Sequence, residues 1–116
     1  MLPFIMKAVK KYFGKNGDNP VMHFVLSYDI STTTDERTAC IYTERIAHYF
    51  SDQYQLVTAV HRENQNNSLY HAHIVMNPVN INNGKLYHSG YSELHEFAKH
   101  IYKVTGNYCK PRINKN

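Results

Sequence analysis

The stretch LYHAHIVM at residues 69–76 decides the fold that the sequence predicts. Aromatic, β-branched and long aliphatic residues dominate it, and its length is that of an ordinary strand. Alternation along a strand sends His71 and His73 to the same face, with Cα atoms about 6–7 Å apart, and turns Ala72 toward the core. The stretch therefore predicts a strand with one apolar face and one face that carries two histidines as candidate functional residues.

Two further strands are predicted around it. VMHFVLSY, residues 21–28, is a nearly continuous apolar run, which is typical of a strand buried on both faces. YQLVTAVH, residues 54–61, is rich in β-branched and aromatic residues, and the polar loop 62–68 joins it to the first stretch. NNG at residues 82–84 marks a turn, after which residues 85–88 would form a short returning strand.

Two helices are predicted on either side of the strand at residues 21–28. The first spans residues 4–13, where apolar residues recur at helical spacing, and Gly14 ends it. The second opens with a capping box formed by Thr33 and Glu36. Its apolar residues keep helical spacing and form one stripe, Ala39, Tyr42, Ile46 and Phe50.

A third helix is predicted near the C-terminus. Ser89 or Ser92 would cap it, and Gly106 would stop it. Its inward residues would be Leu94, Phe97, Ile101 and Val104.

This order of elements predicts an α+β fold with a central, mostly antiparallel sheet and helices packed on one face. The 116 residues suffice for a single domain, residues 1–116. Within it, residues 1–20 are interpreted as an N-terminal helix and loop and residues 107–116 as a basic tail. The sequence contains no internal repeat and no second-domain linker.

Composition excludes several classes of protein. Hydrophobic residues make up 42% of the chain and charged residues 19%, which is the balance of a globular protein rather than a disordered one. No apolar run approaches the roughly 20 residues of a membrane span. The lysines of residues 1–12 follow the apolar start instead of preceding it, unlike a signal peptide, so a cytoplasmic location is expected. Cys40 and Cys109 follow no spacing motif and are expected to be reduced.

The net charge of +4 is unevenly placed, because the chain from Phe97 onward holds five bases and no acid. Such a basic edge favours phosphate binding. The alternative is a solvated helix face and tail. Ten tyrosines and five phenylalanines offer rings that can stack on bases, although most are expected in the core.

Three histidines are candidates for one metal site. If the strand ending at His61 pairs with the strand carrying His71 and His73, the three imidazoles can share an ion and leave coordination positions open. The alternative is three satisfied or surface histidines in a hairpin. Glu63 could fix the tautomer of a ligand imidazole, or lie exposed in a loop. Asn77, on the same side as the histidine pair, could orient a phosphate or simply begin the turn.

The combined motifs resemble a known family. VHRE at 60–63, YHAHIVMN at 70–77, VN at 79–80 and GKLYH at 84–88 are similar to the relaxase, or mobilisation nuclease, family of the HUH endonuclease superfamily, named for its His-hydrophobic-His pair. HFVLSY, residues 23–28, resembles that family's strand ending in serine and an aromatic residue. The resemblance extends over about residues 4 to 106.

The resemblance implies a ferredoxin- or RRM-like sheet whose HUH strand holds a divalent cation, Mg²⁺ or Mn²⁺. Zn²⁺ also suits three imidazoles. The activity implied is nicking and transfer of single-stranded DNA at an origin of transfer during plasmid mobilisation and conjugation. A tyrosine attacks the phosphate, leaving a 5′-phosphotyrosine link and a free 3′-OH. His61, His71 and His73 match the family's metal positions, and Glu63 stands where many members carry Asp.

The family's nucleophilic tyrosine lies upstream of the strand that matches residues 21–28. Tyr12 is the only tyrosine there, and its alternative role is an aromatic residue of an amphipathic helix. The upstream segment is expected to be shortened or missing. The chain is accordingly interpreted as truncated, as the product of a degenerate gene, or as a member that takes its tyrosine from elsewhere.

Three functions follow from these observations. The first is an active relaxase core. The second is a truncated relaxase-fold module that binds DNA without cleaving it, and the third is a metal-dependent phosphodiesterase that activates water. The expected partners are single-stranded DNA, accessory mobilisation proteins and a second copy in a weak homodimer through an open sheet edge, with no membrane. The expected DNA contacts are Lys85, Lys99, Lys103, Lys110 and Arg112.

Overall fold

A computed structural model describes residues 4–13, 19–65, 67–88 and 90–114. The elements run in the order β1 (Phe4–Phe13), β2 (Asn19–Asp29), α1 (Glu36–Ser51), β3 (Leu56–Gln65), β4 (Ser68–Met76), α2 (Tyr91–Thr105) and β5 (Cys109–Asn114). Strands and helices share one core, so the α+β class is confirmed. Within the described ranges, neither helix has the length and hydropathy of a membrane span.

The sheet has five strands in the order β3-β4-β2-β1-β5. The neighbouring pairs are antiparallel except β1 and β5, which are parallel. The mostly antiparallel sheet is therefore confirmed. The strand that carries His71 and His73 lies between β2 and β3, so both of its edges are held by backbone hydrogen bonds.

The core lies on one face of the sheet, under α1 and α2. Alternate residues of the two central strands are buried there and pack with the helices: Met22, Phe24, Leu26, Tyr28, Tyr70, Ala72, Ile74 and Met76. Val21 and Val25 point to the other face and are only partly buried. The prediction that residues 21–28 are buried on both faces is therefore wrong, because in the described part of the chain both helices cover the same face.

Both termini of the described chain form strands that the sequence did not predict. Residues 4–13 are strand β1 rather than a helix, and residues 109–114 of the predicted basic tail are strand β5. β1 lies between β2 and β5, and hydrogen bonding along both of its edges outweighs a weak helical spacing. Gly14 and the loop that follows it lie outside the described residues.

The helix starts also differ from the prediction. Asp35, not Thr33, caps α1, since the Asp35 carboxylate accepts a hydrogen bond of 2.7 Å from the backbone N–H of Thr38. Thr33 is fully buried instead. Gly90 is the N-cap of α2 without a side-chain bond, and Ser92 lies inside that helix. The other candidate cap, at position 89, is outside the described residues.

The predicted short strand at residues 85–88 is wrong, because only one isolated bridge forms there, between Val79 and Leu86. The predicted turn before it is nevertheless present. Gly84 has a φ of 72°, a left-handed conformation that glycine adopts without strain.

Gly106 ends α2 as predicted, with a φ of 76° and its N–H bonded to the carbonyl of Tyr102. A Cβ at this position would contact nothing within 4 Å, so only backbone strain opposes a side chain. We expect Gly106→Ala to lower the free energy of unfolding by about 1–2 kcal/mol. Urea denaturation would measure this, and Gly106→Asn should cost less because Asn tolerates left-handed backbone. Equal stability of the Ala variant and the native protein would contradict the expected strain.

Candidate metal centre

The hairpin of β3 and β4 brings the three predicted histidines together. His61 is the cross-strand partner of His71, and Ala59 is that of His73. The ring centroid of His61 lies 5.7 Å from that of His71 and 4.9 Å from that of His73. The rings lie on the face of the sheet opposite the helices, because Ala72 between them points into the core.

Glu63 contacts the first of these imidazoles. Its Oε2 lies 3.0 Å from Nε2 of His61, and both side chains are exposed. The strand register shifts between Arg62 and Gln65, so the carboxylate leaves the regular ladder at this point. His61, Glu63 and His71 offer ligand atoms that all lie within 4.8 Å of one another. Glu63 was expected to orient a ligand imidazole without contacting the ion. In the structure its carboxylate is itself one of the candidate ligands.

His71 is the buried member of the group, at 6% exposure. Its Nδ1 is buried and has no hydrogen-bond partner. Burial lowers the pKa of this imidazole, an effect that nearby Glu63 opposes and nearby His61 reinforces. A neutral imidazole with an unsatisfied buried nitrogen, beside a second imidazole and a carboxylate, fits a divalent cation.

His73 stands next to a fourth histidine. Its Nδ1 lies 2.7 Å from Nε2 of His23 on β2, and the two rings are 5.0 Å apart. His23 was not among the predicted site residues. His23 lies two positions before Val25 on β2, and Val25 is the cross-strand partner of His73. The missing information was the pairing of β2 with β4.

Asn77 closes a turn. Its Oδ1 accepts a hydrogen bond of 3.0 Å from the backbone N–H of Val79. Asn77 follows the end of β4, about 13 Å from His73 along an extended strand. Of its two predicted roles, this geometry favours the turn.

The backbone of Tyr12 is displaced along β1 from the row through His73. The cross-strand row through His73 continues to Val25 and then to Lys7 on β1. Tyr12 lies five residues further along β1, paired with Pro20, which places its backbone about 17 Å from that row.

The predicted DNA contacts divide into two groups. Lys99 and Lys103 are exposed on α2, on the helix-covered side of the sheet, and Lys99 bonds Glu96 at 3.1 Å. Lys85 is exposed beyond the end of β4, after the turn. Lys110 and Arg112 lie on β5, and their backbones continue the cross-strand rows that pass through His71 and His73 respectively. Only these last two share the rows of the candidate centre.

Comparison with known families relates this chain to a family of nucleases. The family model described as relaxase, MobA/VirD2-like, nuclease domain, matches residues 4–108. Neither the curated proteins nor the solved structures contain a significant match to this chain. The matched range begins with β1, includes the whole histidine cluster and extends to the residue before β5.

Proposed function

We propose, from the premise that this chain belongs to the MobA/VirD2-like relaxase family, that it nicks and transfers single-stranded DNA at an origin of transfer. The family assignment supports a relaxase-type nuclease. The metal dependence, the DNA strand and the mobilisation context are the proposed part. Accessory mobilisation proteins as partners and a cytoplasmic location belong to the same proposal.

One observation carries the proposal. His61, Glu63 and His71 gather their ligand atoms within 4.8 Å, and the buried Nδ1 of His71 has no other partner. A divalent ion, Mn²⁺ or Mg²⁺ with Zn²⁺ as an alternative, would polarise the scissile phosphate there. His61, Glu63, His71 and His73 are the residues proposed to hold it. Glu63 would also keep the His61 ring oriented through their 3.0 Å contact.

The uncovered face of the sheet is the proposed path of the DNA. In the described part of the chain, both helices pack on the opposite face, so the histidines face outward. The cross-strand rows of His71 and His73 run to Lys110 and Arg112 on β5, about 14 Å from β4 at ordinary strand spacing. A single strand lying across the sheet would meet the metal centre at one end and these basic residues at the other.

A second candidate function is favoured by the position of Tyr12. Covalent strand transfer needs a nucleophile beside the metal, and the backbone of Tyr12 lies about 17 Å along β1 from the row through His73. The second candidate is a relaxase-fold module that binds DNA and forms no tyrosyl link.

A weak homodimer through an edge strand of the sheet, β3 or β5, stays a prediction.

The test is incubation of the protein with Mn²⁺ and single-stranded oligonucleotides that span the origin of transfer of its own genetic element. We expect metal-dependent cleavage, and intact-mass measurement shows whether a DNA fragment stays attached. An adduct establishes covalent strand transfer, and peptide mapping of the adduct identifies the nucleophile and decides whether it is Tyr12. Cleavage without an adduct indicates water as the nucleophile. Salt-sensitive binding without cleavage would replace the proposal with the second candidate.

A further inference from the structure

His23 and His73 form a hydrogen bond between two rings that are fifty residues apart in the chain. Nε2 of His23 lies 2.7 Å from Nδ1 of His73. The pairing of β2 with β4 fixes this contact, because the partner of His73 is Val25, two residues from His23 on the same face. The His73 ring stands 5.0 Å from the His23 ring and 4.9 Å from the His61 ring. The His73 ring is therefore adjacent both to His23 and to His61 of the candidate metal group.

The direction of this bond decides whether His73 can bind a metal. A neutral imidazole carries one proton, on either Nδ1 or Nε2, and the other nitrogen has the lone pair. If Nδ1 of His73 accepts from His23, the proton of His73 is on Nε2 and that nitrogen cannot coordinate an ion. If Nδ1 of His73 donates, Nε2 carries no proton, and its lone pair can coordinate an ion. In that case Nε2 of His23 is the acceptor, and the proton of His23 is on Nδ1.

We propose that His23 is a positioning residue that accepts the Nδ1–H of His73 and so presents the Nε2 lone pair of His73 to the metal centre. This inference rests on the proposed metal site. Metal-bound histidines usually donate their second N–H to a carboxylate, a carbonyl or water. Here a neutral imidazole takes that place. It fixes the tautomer and the ring orientation without adding negative charge, unlike Glu63 beside His61.

The test begins with the native protein free of metal. Nitrogen-15 NMR of the histidine rings distinguishes an imidazole protonated on Nδ1 from one protonated on Nε2. We expect His73 to be protonated on Nδ1 and His23 to show an unprotonated, hydrogen-bonded Nε2. A His73 ring protonated on Nε2 would overturn the proposal, and this result needs no variant.

Two substitutions separate positioning from packing. His23→Phe keeps a ring but removes the acceptor, whereas His23→Gln keeps an acceptor on a flexible chain. We expect His23→Phe to weaken Mn²⁺ binding by about 10–100-fold in calorimetry and to mix the tautomers of His73, and His23→Gln to recover most of the affinity. Circular dichroism would check that both variants fold.

The outcomes distinguish this proposal from the proposed function. Unchanged Mn²⁺ affinity in a folded His23→Phe variant would refute the positioning role while leaving the metal site intact. Failure of the native protein to bind Mn²⁺ or Zn²⁺ would refute the metal site and, with it, the role of His23 toward a metal. The NMR result would then still decide the direction of the hydrogen bond between His23 and His73.

Discussion

Replacing His71 with Ala is expected to weaken Mn²⁺ binding by more than about 100-fold. This exceeds the loss expected when a residue that only hydrogen-bonds to a metal ligand is removed. His71 is the buried member of the group, and the remaining His61 and Glu63 are exposed and contact each other. Two exposed ligands hold a divalent ion poorly because water competes for both. Calorimetric titration at neutral pH, with Zn²⁺ run in parallel, would measure the change. Nicking of single-stranded DNA is expected to be lost together with binding.

The matched control is His48→Ala. His48 is exposed on α1, on the helix side of the sheet, and its imidazole bonds only Ser51 in the contacts described for it. This variant should bind Mn²⁺ as the native protein does. Glu63→Gln should fall between the two, because the amide can still contact His61 but offers a weaker ligand oxygen. Saturable binding of equal affinity in His71→Ala would mean that the ion lies elsewhere.

Phe50→Ala is expected to lower the free energy of unfolding by about 3–5 kcal/mol. The Phe50 ring is 2% exposed and forms the centre of the aromatic cluster between α1, α2 and the sheet. It contacts five other rings with centroid distances of 4.6–6.0 Å, those of Phe24, Tyr49, Tyr54, Tyr87 and Phe97. Removing it opens a cavity bordered by rigid rings that cannot collapse to fill it.

Urea denaturation followed by circular dichroism would measure this loss. A small domain has a total stability of about 5–15 kcal/mol, so a loss of this size should shift the unfolding midpoint to a clearly lower urea concentration. Tyr49→Ala is the neighbouring control, because Tyr49 is 42% exposed and its removal leaves much less buried space. If Phe50→Ala unfolds at the same urea concentration as Tyr49→Ala, the cluster does not centre on Phe50.

Local periodicity in the sequence was sufficient for the elements that bury one face. The α1 stripe of Ala39, Ile46 and Phe50 is buried as predicted, with Tyr42 packed against it. The alternation around Ala72 placed His71 and His73 on the opposite face, and the hairpin placed His61 beside them. These features depend on residues that are close in the chain, so spacing alone reveals them.

Two of the features that were missed depend on which strands pair with each other in the sheet. Residues 4–13 become a strand because β2 and β5 flank them, and neither partner is encoded in that segment itself. His23 joins the site only because β2 lies beside β4. The cap of α1 was missed for a different reason, since Thr33 and Asp35 are both acceptable caps and burial of Thr33 decided between them.

The parallel pairing of β1 with β5 has a consequence for how the protein is made. Phe4 pairs with Cys109, so β1 is synthesised 105 residues before the strand that pairs with it in parallel. Until β5 has been synthesised, β1 presents an unpaired edge that can associate with other nascent chains. Contacts between strands this far apart in the chain also form slowly, because the loop entropy is lost before the strands pair. Completion of the sheet, and of the rows that join β5 to the histidines, is therefore a late event in biosynthesis.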